Sequence, residues 1–577
     1  MSAPGGRLGI TTAVRLVAVA VVLVMGWGPS RREPRAAGAQ FVESAAATGL
    51  IFTHDNGATG QYYIAEQMGA GVALLDYDHD GDLDVFFVQG GPLSPEEQAP
   101  PGRPTHRLFR NDVAVAHDPE RRLRFTDVTR EAGLGSAAYG MGVAAGDYDD
   151  DGHVDLFVTA FGPDALYRNN GDGTFTDVAE QAGITDDRWS TSAAFVDYDR
   201  DGHLDLYVTH YVDFTIQGNR RCHDSVGARD YCAPRMYRPL HDRLYRNGGA
   251  GRFSDVTAQA GIGKAYGAGL GVVTGDFNGD GWLDLYVAND ATPNQLWLNR
   301  RDGTFADEGL LSGAAFSAAG NPEGSMGIAS GDFDADGDED LFVTNLVGET
   351  FVLYQSDGRG NFADVRTSVG LAAPTAAFTG FGTDWLDYDN DGWLDLFVTN
   401  GAVNIIEAQR GRPDPFRMRR QLFRNVEGAR FEETSDQAGA AFHDLEIGRG
   451  AAFGDVDNDG DVDIVVTHNG GAAGLLLNQG TPGHHWLQLQ LDQPGFNRRA
   501  LGAWVGVERA GRPVLWRRVR ADGSYLSASD PRVHVGLGAD PGVTAVVVQW
   551  PDGLKERWPA VAPNGMRTLR RGTSSTR

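Results

Sequence analysis

The sequence predicts an all-β protein, a seven-bladed β-propeller followed by a small C-terminal β-rich domain. Three observations predict it. The acidic pattern Asp-x-Asp-x-Asp-Gly-x-x-Asp recurs seven times, with Asn278 as its single substitution. An apolar, β-branched or aromatic run follows each copy, and a short segment of the type Leu-Phe/Tyr-Arg-Asn closes most units. The loops start 71, 50, 79, 56, 55 and 68 residues apart. Four short strands repeated at such intervals make a propeller; a solenoid is the architectural alternative.

The first element is a leader. Arg7 and Arg15 precede the apolar run Leu16–Met25, and Ala37, Gly38 and Ala39 offer a small-residue cleavage site before Gln40. Residues 1–39 therefore read as an export signal peptide, and the protein as secreted or periplasmic. The run is only half of the roughly 20 residues a membrane span needs, so no transmembrane span is expected in the mature chain. An uncleaved anchor is the alternative.

The propeller is expected over residues 40–480. Its loops offer oxygen ligands at positions 1, 3, 5 and 9. The sets are Asp76, Asp78, Asp80, Asp84; Asp147, Asp149, Asp151, Asp155; Asp197, Asp199, Asp201, Asp205; and Asp276, Asn278, Asp280, Asp284. They continue with Asp332, Asp334, Asp336, Asp340; Asp387, Asp389, Asp391, Asp395; and Asp455, Asp457, Asp459, Asp463. Hard oxygen donors with a backbone carbonyl at position 7 select Ca²⁺, so about seven calcium sites are expected. Position 6 is Gly in all seven, as a loop needing positive φ demands. The loop is not an EF-hand, because position 12 is apolar (Phe87, Val158, Val208, Val287, Val343, Val398, Val466) rather than a bidentate Glu.

Each unit is read as starting at a Phe-led strand, such as Phe125-Thr-Asp-Val or Phe175-Thr-Asp-Val, reached through Asn-Gly or Asp-Gly turns. The strand entering each loop carries small residues at fixed offsets, among them Gly69 and Gly71, Gly140 and Gly142, and Gly448 and Gly450. Such residues fit the crowded wall of a central channel. Cys222 and Cys232 are the two cysteines and, in an exported chain, most simply form one disulfide.

The net charge of −28 argues against a nucleic-acid partner, which needs a basic stripe. Much of it has a local origin, since the loops alone hold 27 of the 78 acidic residues. The tail differs: from His484 onward it holds 14 Lys or Arg against 7 Asp or Glu. A basic module on an acidic propeller is expected to dock on it; binding of an anionic glycan or phosphate through Arg517, Arg518 and Arg520 is the alternative. Ser524, Ser527 and His534 invite a nucleophile reading, but no Gly-x-Ser-x-Gly elbow accompanies them.

The units resemble the FG-GAP (VCBS) repeats of integrin α-chain propellers. The tail, with Asn497-Arg-Arg-Ala-Leu-Gly-Ala503, Arg520 to Gly538 and Val548-Gln-Trp-Pro-Asp-Gly553, is similar to the ASPIC/UnbV domain. It is expected over 484–560, with 561–577 as a flexible tail. Propeller plus tail is the arrangement of the cartilage acidic protein-like family. The resemblance implies an extracellular Ca²⁺-binding propeller with calcium loops on one face. Gln89, Ala160, His210, Asn289, Asn345, Asn400 and His468 would then ring the other face, where insertions at about 90–107, 211–243 and 402–420 also emerge. Insertions gathered on one face build binding surfaces.

The leading expectation is a binding or adhesion module for a protein or glycan, with calcium structural. The alternative is a Ca²⁺-dependent enzyme of cyclase or lyase type on the ring face. His210 and His468, joined by Asp290, Glu66 and Tyr211, are its acid–base candidates; no catalytic residue is assigned.

Overall fold

The computed structural model describes residues 41–93, 105–113, 123–134 and 138–574; the expected signal peptide lies outside them, as does part of the first insertion. Seven four-stranded antiparallel sheets succeed one another along the chain. Blade 1 comprises Val72–Leu75, Asp84–Phe87, Arg107–Asn111 and Phe125–Asp127, and blade 2 Tyr139–Gly146, Asp155–Phe161, Ala165–Asn169 and Phe175–Asp177. Blade 3 comprises Ser190–Val196, Asp205–His210, Arg243–Asn247 and Phe253–Asp255, and blade 4 Gly269–Gly275, Asp284–Asn289, Gln295–Asn299 and Phe305–Asp307. Blade 5 comprises Ile328–Gly331, Asp340–Val343, Val352–Ser356 and Phe362–Asp364, and blade 6 Gly380–Leu386, Asp395–Asn400, Gln421–Val426 and Arg430–Glu433. Blade 7 takes Gly448–Gly454, Asp463–His468 and Gly474–Asn478 from the end of the propeller and Phe41–Glu43 from its start. Every innermost strand packs on that of the next blade, and Gly448–Gly454 of blade 7 packs on Val72–Leu75 of blade 1, so the ring is closed. Both faces of the inner strands are covered, hence their unbroken apolar runs.

The Phe-led strand does not begin a blade. It is the outermost strand of the blade before, paired in a hairpin with the strand that precedes it, as in Asn169↔Phe175. The sequence unit is thus offset by one strand from the structural one. Phe41–Glu43, the first described strand, accordingly pairs with Gly474–Asn478 through Phe41↔Asn478. A strand borrowed across the whole ring covers the edge that blade 7 would otherwise expose.

The C-terminal domain has two sheets. Val533–Gly538, His485–Asp492 and Met566–Arg570 form one; Leu515–Arg518, Trp504–Arg509, Val543–Gln549 and Lys555–Pro559 form the other. The expectation of a flexible tail over 561–577 is corrected here. Met566–Arg570 lies parallel to His485–Asp492, and its alternation turns Leu569 into the core. That core, with Leu487, Leu489, Val505, Val535 and Val548, is continuous with Phe195 and Leu204 of blade 3.

The central channel is filled. Residues 521–529 of the C-terminal domain enter it and bond to every blade. Ala528 donates to Val72 O (2.9 Å) and accepts from Leu74 N (3.0 Å) in blade 1, and Leu526 O accepts from Val143 N (3.0 Å) in blade 2. Ser192 Oγ of blade 3 accepts from Leu526 N (3.1 Å), and Thr274 N of blade 4 donates to Asp522 Oδ2 (3.1 Å). Ser524 exchanges backbone bonds with Ile328 of blade 5 (2.9 and 2.6 Å). Its hydroxyl accepts from Thr383 N of blade 6 (3.3 Å) and donates to Ala451 O of blade 7 (2.8 Å). The small residues of the inner strands make room for this segment: a Cβ on Gly71 would stand 2.1 Å from Leu526 O, and one on Gly450 2.6 Å from Ser527 Oγ. The nucleophile reading of Ser524 and Ser527 is replaced by this structural one. Both are buried and bonded to the channel wall.

Candidate metal centres and the opposite face

Each acidic loop joins the first and second strands of its blade. The glycine at position 6 has φ between +86° and +100° in all seven loops (Gly81, Gly152, Gly202, Gly281, Gly337, Gly392, Gly460). Position 4 is left-handed as well, and six of its seven occupants are not glycine: His79, Asp150, Arg200, Ala335, Asn390 and Asn458, with φ of 57–63°. Asn390, Asn458 and Asp150 tolerate this second reversal better than Arg200 and Ala335, for which it costs about 1 kcal/mol or more.

The reversal brings carboxylates together. Ligand-capable oxygens lie within 4.8 Å of one another in Asp76, Asp78 and Asp84, in Asp147, Asp149 and Asp155, in Asp197, Asp199 and Asp205, in Asp332, Asp334 and Asp336, and in Asp387, Asp389 and Asp395. The position-9 carboxylate is the buried anchor. Asp155 Oδ1 accepts from Asn169 N (2.8 Å) and Oδ2 from Tyr148 N (3.1 Å), and the same two contacts recur at Asp84, Asp284 and Asp463.

The donor set fits a hard divalent cation. Buried carboxylate oxygens without a hydrogen-bond partner recur at positions 1, 3 and 5: Asp76 Oδ1, Asp80 Oδ2, Asp147 Oδ1, Asp149 Oδ1, Asp197 Oδ1, Asp334 Oδ1, Asp389 Oδ1 and Asp457 Oδ1. A buried acceptor left unpaired costs stability unless something coordinates it. Burial, followed by repulsion from Asp150 and Asp151, pushes the Asp147 carboxyl up to about 7; burial and then Asp459 and Asp457 push Asp455 to about 8. A cation removes both penalties. Asp80, Asp151, Asp201, Asp276, Asn278, Asp280, Asp332, Asp336, Asp340, Asp391, Asp395, Asp459 and Asp463 occupy the equivalent places in their loops.

An Asn at the end of the third strand ties six of the seven loops to the neighbouring blade. Asn247 Nδ2 donates to Leu204 O of its own loop (3.0 Å) and to Tyr148 O of blade 2 (2.7 Å). Asn111, Asn169, Asn299, Asn425 and Asn478 repeat the bridge. Blade 5 has Ser356 at that place. The motif Leu-Phe/Tyr-Arg-Asn was visible in the sequence; the inter-blade role of its Asn was not.

The loop face carries the C-terminal domain. Gly536 N donates to the ligand carboxylate Asp387 (3.1 Å), Arg517 donates to Gly392 O (3.1 Å), and His534 Nε2 lies 3.0 Å from Gly460 O. Arg518 and Arg520 both grip Glu339, in the loop of blade 5. The three arginines that offered an anion site are therefore engaged in docking.

On the opposite face, Gln89, Ala160, His210, Asn289, Asn345, Asn400 and His468 lie at the ends of the second strands or just beyond them, and all are buried. Of the candidate acid–base residues, Tyr211 and Asp290 meet, while His210, His468 and Glu66 each have other partners. His210 of blade 3 lies 3.3 Å from Asp186, and burial still depresses it to about 4; His468 of blade 7 faces Arg420 (3.4 Å) and is depressed to about 3, by burial and then Arg420. Asp290 accepts from Tyr211 OH (2.6 Å), and burial pushes it up to about 6. Glu66 accepts from Tyr231 OH (2.7 Å). Cys222 and Cys232 form a disulfide at the base of a hairpin in the blade 3 insertion. That insertion meets the one from blade 6, where Ile405 N donates to Asp230 (3.3 Å), Arg410 pairs with Asp224, and the Tyr231 and Phe416 rings lie 5.9 Å apart.

The FG-GAP-like repeat family matches residues 147–208, 231–287, 276–343 and 332–398, and the ASPIC and UnbV family matches 493–576. Cartilage acidic protein 1 of Mus musculus is 28% identical over 503 residues, which cover 84% of this chain and 71% of that protein. The Homo sapiens protein of the same name is 29% identical over 307 residues, 52% of this chain and 43% of its own length. Among solved structures, a lectin from Agrocybe aegerita that recognises non-reducing terminal N-acetylglucosamine aligns with a TM-score of 0.39 at 16% identity, covering 69% of this chain and 88% of that one.

Proposed function

We propose that this chain, an FG-GAP repeat propeller with a C-terminal ASPIC and UnbV domain, is an exported binding or adhesion module stabilised by calcium. The observation that carries the calcium reading is the recurrence of unpartnered buried carboxylate oxygens in the acidic loops. Bound there, Ca²⁺ supplies charge neutralisation and crosslinks the two inner strands of a blade. The protein's own groups do the rest. The position-9 carboxylates fix the loop to the third strand, and the Asn bridges fix it to the next blade. The C-terminal domain covers the loop face, so the insertion-bearing face is the surface left for a ligand.

Export is supported by the leader-like residues 1–39 and by the Cys222–Cys232 disulfide, a bond of oxidising compartments. No helix among the described residues is long and apolar enough to cross a membrane.

Native mass spectrometry of residues 40–577 purified in calcium tests the reading. The expected result is about one Ca²⁺ per acidic loop, lost to a chelator together with a lower melting temperature. A chain that retains no calcium and melts identically in chelator overturns it.

A further inference from the structure

We infer that the disulfide-braced insertion of blade 3 binds an anionic polysaccharide; this deepens the binding-module reading and rests on it. On a chain of net charge −28, residues 211–243 hold six Arg against four Asp. Two of those aspartates, Asp230 and Asp242, are buried, and Asp224 is taken by Arg410. Arg220, Arg221, Arg235 and Arg238 are exposed, and among the described residues no carboxylate pairs with their guanidinium groups. The polarity of this patch is opposite to that of the molecule as a whole, so it focuses an attractive field for a polyanion on an otherwise repulsive surface.

The patch is built rather than incidental. The disulfide closes the hairpin Cys222–His223/Arg229–Asp230. Arg229 donates to Gln61 O (3.0 Å) and lies over the Tyr62 ring (5.4 Å), while Arg220 lies over the Tyr237 ring (5.7 Å). The Tyr62 and Tyr231 rings are 5.1 Å apart, and Tyr62, Tyr231 and Tyr237 are each half-buried. Half-exposed aromatic faces beside free guanidinium forks match a sugar acid. The ring takes the pyranose C–H face, and the fork takes the carboxylate or sulfate bidentately. Gln217 and Ser225 are exposed between them, alongside the apolar Val226 and Met236.

The test compares binding of the full mature chain, in calcium, to dextran sulfate, hyaluronan, neutral dextran and polyglutamate. Sulfated and carboxylated polysaccharides separate the two possible acid groups. The expected result is saturable binding to at least one charged polysaccharide, weakened by salt and absent with dextran. Replacing Arg220, Arg221, Arg235 and Arg238 together by Gln is expected to weaken it about tenfold or more. A control with Arg130, Arg252, Arg300 and Arg359 changed to Gln alters net charge equally and is expected to leave binding intact. Equal loss in both variants, or equal affinity for polyglutamate, overturns the inference. So does a chain that binds no polyanion while its melting still depends on calcium, a result that leaves the calcium-stabilised module standing.

Discussion

Glu339 holds the C-terminal domain to the propeller through two buried ion pairs, and Glu339→Gln tests how firmly. The Glu339 side chain is 1% exposed, and its two cationic partners, Arg518 and Arg520, are 6% and 12% exposed. Arg518 Nε donates to Oε2 (2.7 Å), as does the backbone N of Asp276 (3.1 Å). Burial disfavours the carboxylate, but Arg518 and then Arg520 outweigh it and hold its pKa below the usual value. The amide keeps the shape, removes the charge, and turns an N–H₂ donor toward guanidinium donors. Breaking a buried pair by removing one partner costs about 3–5 kcal/mol, because the other charge stays buried. Arg518 keeps Gly502 O (2.7 Å), and Arg520 keeps the field of Asp384 and Asp522, so the low end, about 3 kcal/mol, is expected. Denaturant unfolding in saturating calcium reads the loss, and a triple variant with Glu339→Leu, Arg518→Met and Arg520→Leu should recover much of it. A loss below about 1 kcal/mol would refute the argument that these charges are confined.

Asp149→Ala removes a loop oxygen that has no protein partner, so it should lower the melting temperature in calcium and barely in chelator; the calcium-dependent part is about 2–3 kcal/mol when the ion stands near 100 times its Kd. An equal drop in both conditions would mean the site holds no ion. Ser356→Asn should supply the one missing inter-blade bridge and raise stability by about 1 kcal/mol, while Asn247→Ala should cost about 2–4 kcal/mol by stranding two buried carbonyls. Thermal melts read both, and no gain at 356 would show that the blade 4–5 joint is already satisfied. Buried His106 accepts from Gln89 N (3.0 Å) and is pushed down by burial from 6.5 to about 4. Its folded pKa lies below the unfolded one, so the stability it confers is present above pH 6.5 and is lost as pH falls toward 4. His106→Gln should therefore gain about 3 kcal/mol relative to the parent between those limits. A stability difference independent of pH would contradict this.

The loops, the blade number and the disulfide were legible because each is local. Four ligands, a Gly and a following apolar strand lie within a dozen residues, and the two cysteines are 10 apart. What depended on distant partners was not. Phe41 looked like the start of a unit because its pairing partner, Asn478, lies at the far end of the propeller. Ser524 invited a nucleophile reading because nothing nearby in the sequence announces that Ile328 and Ala451 will bond to it, or that Met68 will bond to the adjacent Tyr525. His210 and His468 share a motif position and hence a ring. Burial and separate partners in blades 3 and 7 keep them from acting as a pair. Periodicity assigns a residue to a face, and only packing decides what meets it there.

The segment 521–529 has a temporal consequence. A ribosome delivers the first blade's inner strand hundreds of residues before Ala528, the residue that will pair with it, and it delivers Phe41 long before Asn478. Neither the rim nor the axle of this wheel can be fitted until almost the whole chain has emerged, so no N-terminal fragment can hold the finished ring. The chain therefore stays unclosed until its C-terminal domain has been made. Termination between residues 478 and 521 would leave seven blades with an empty hub.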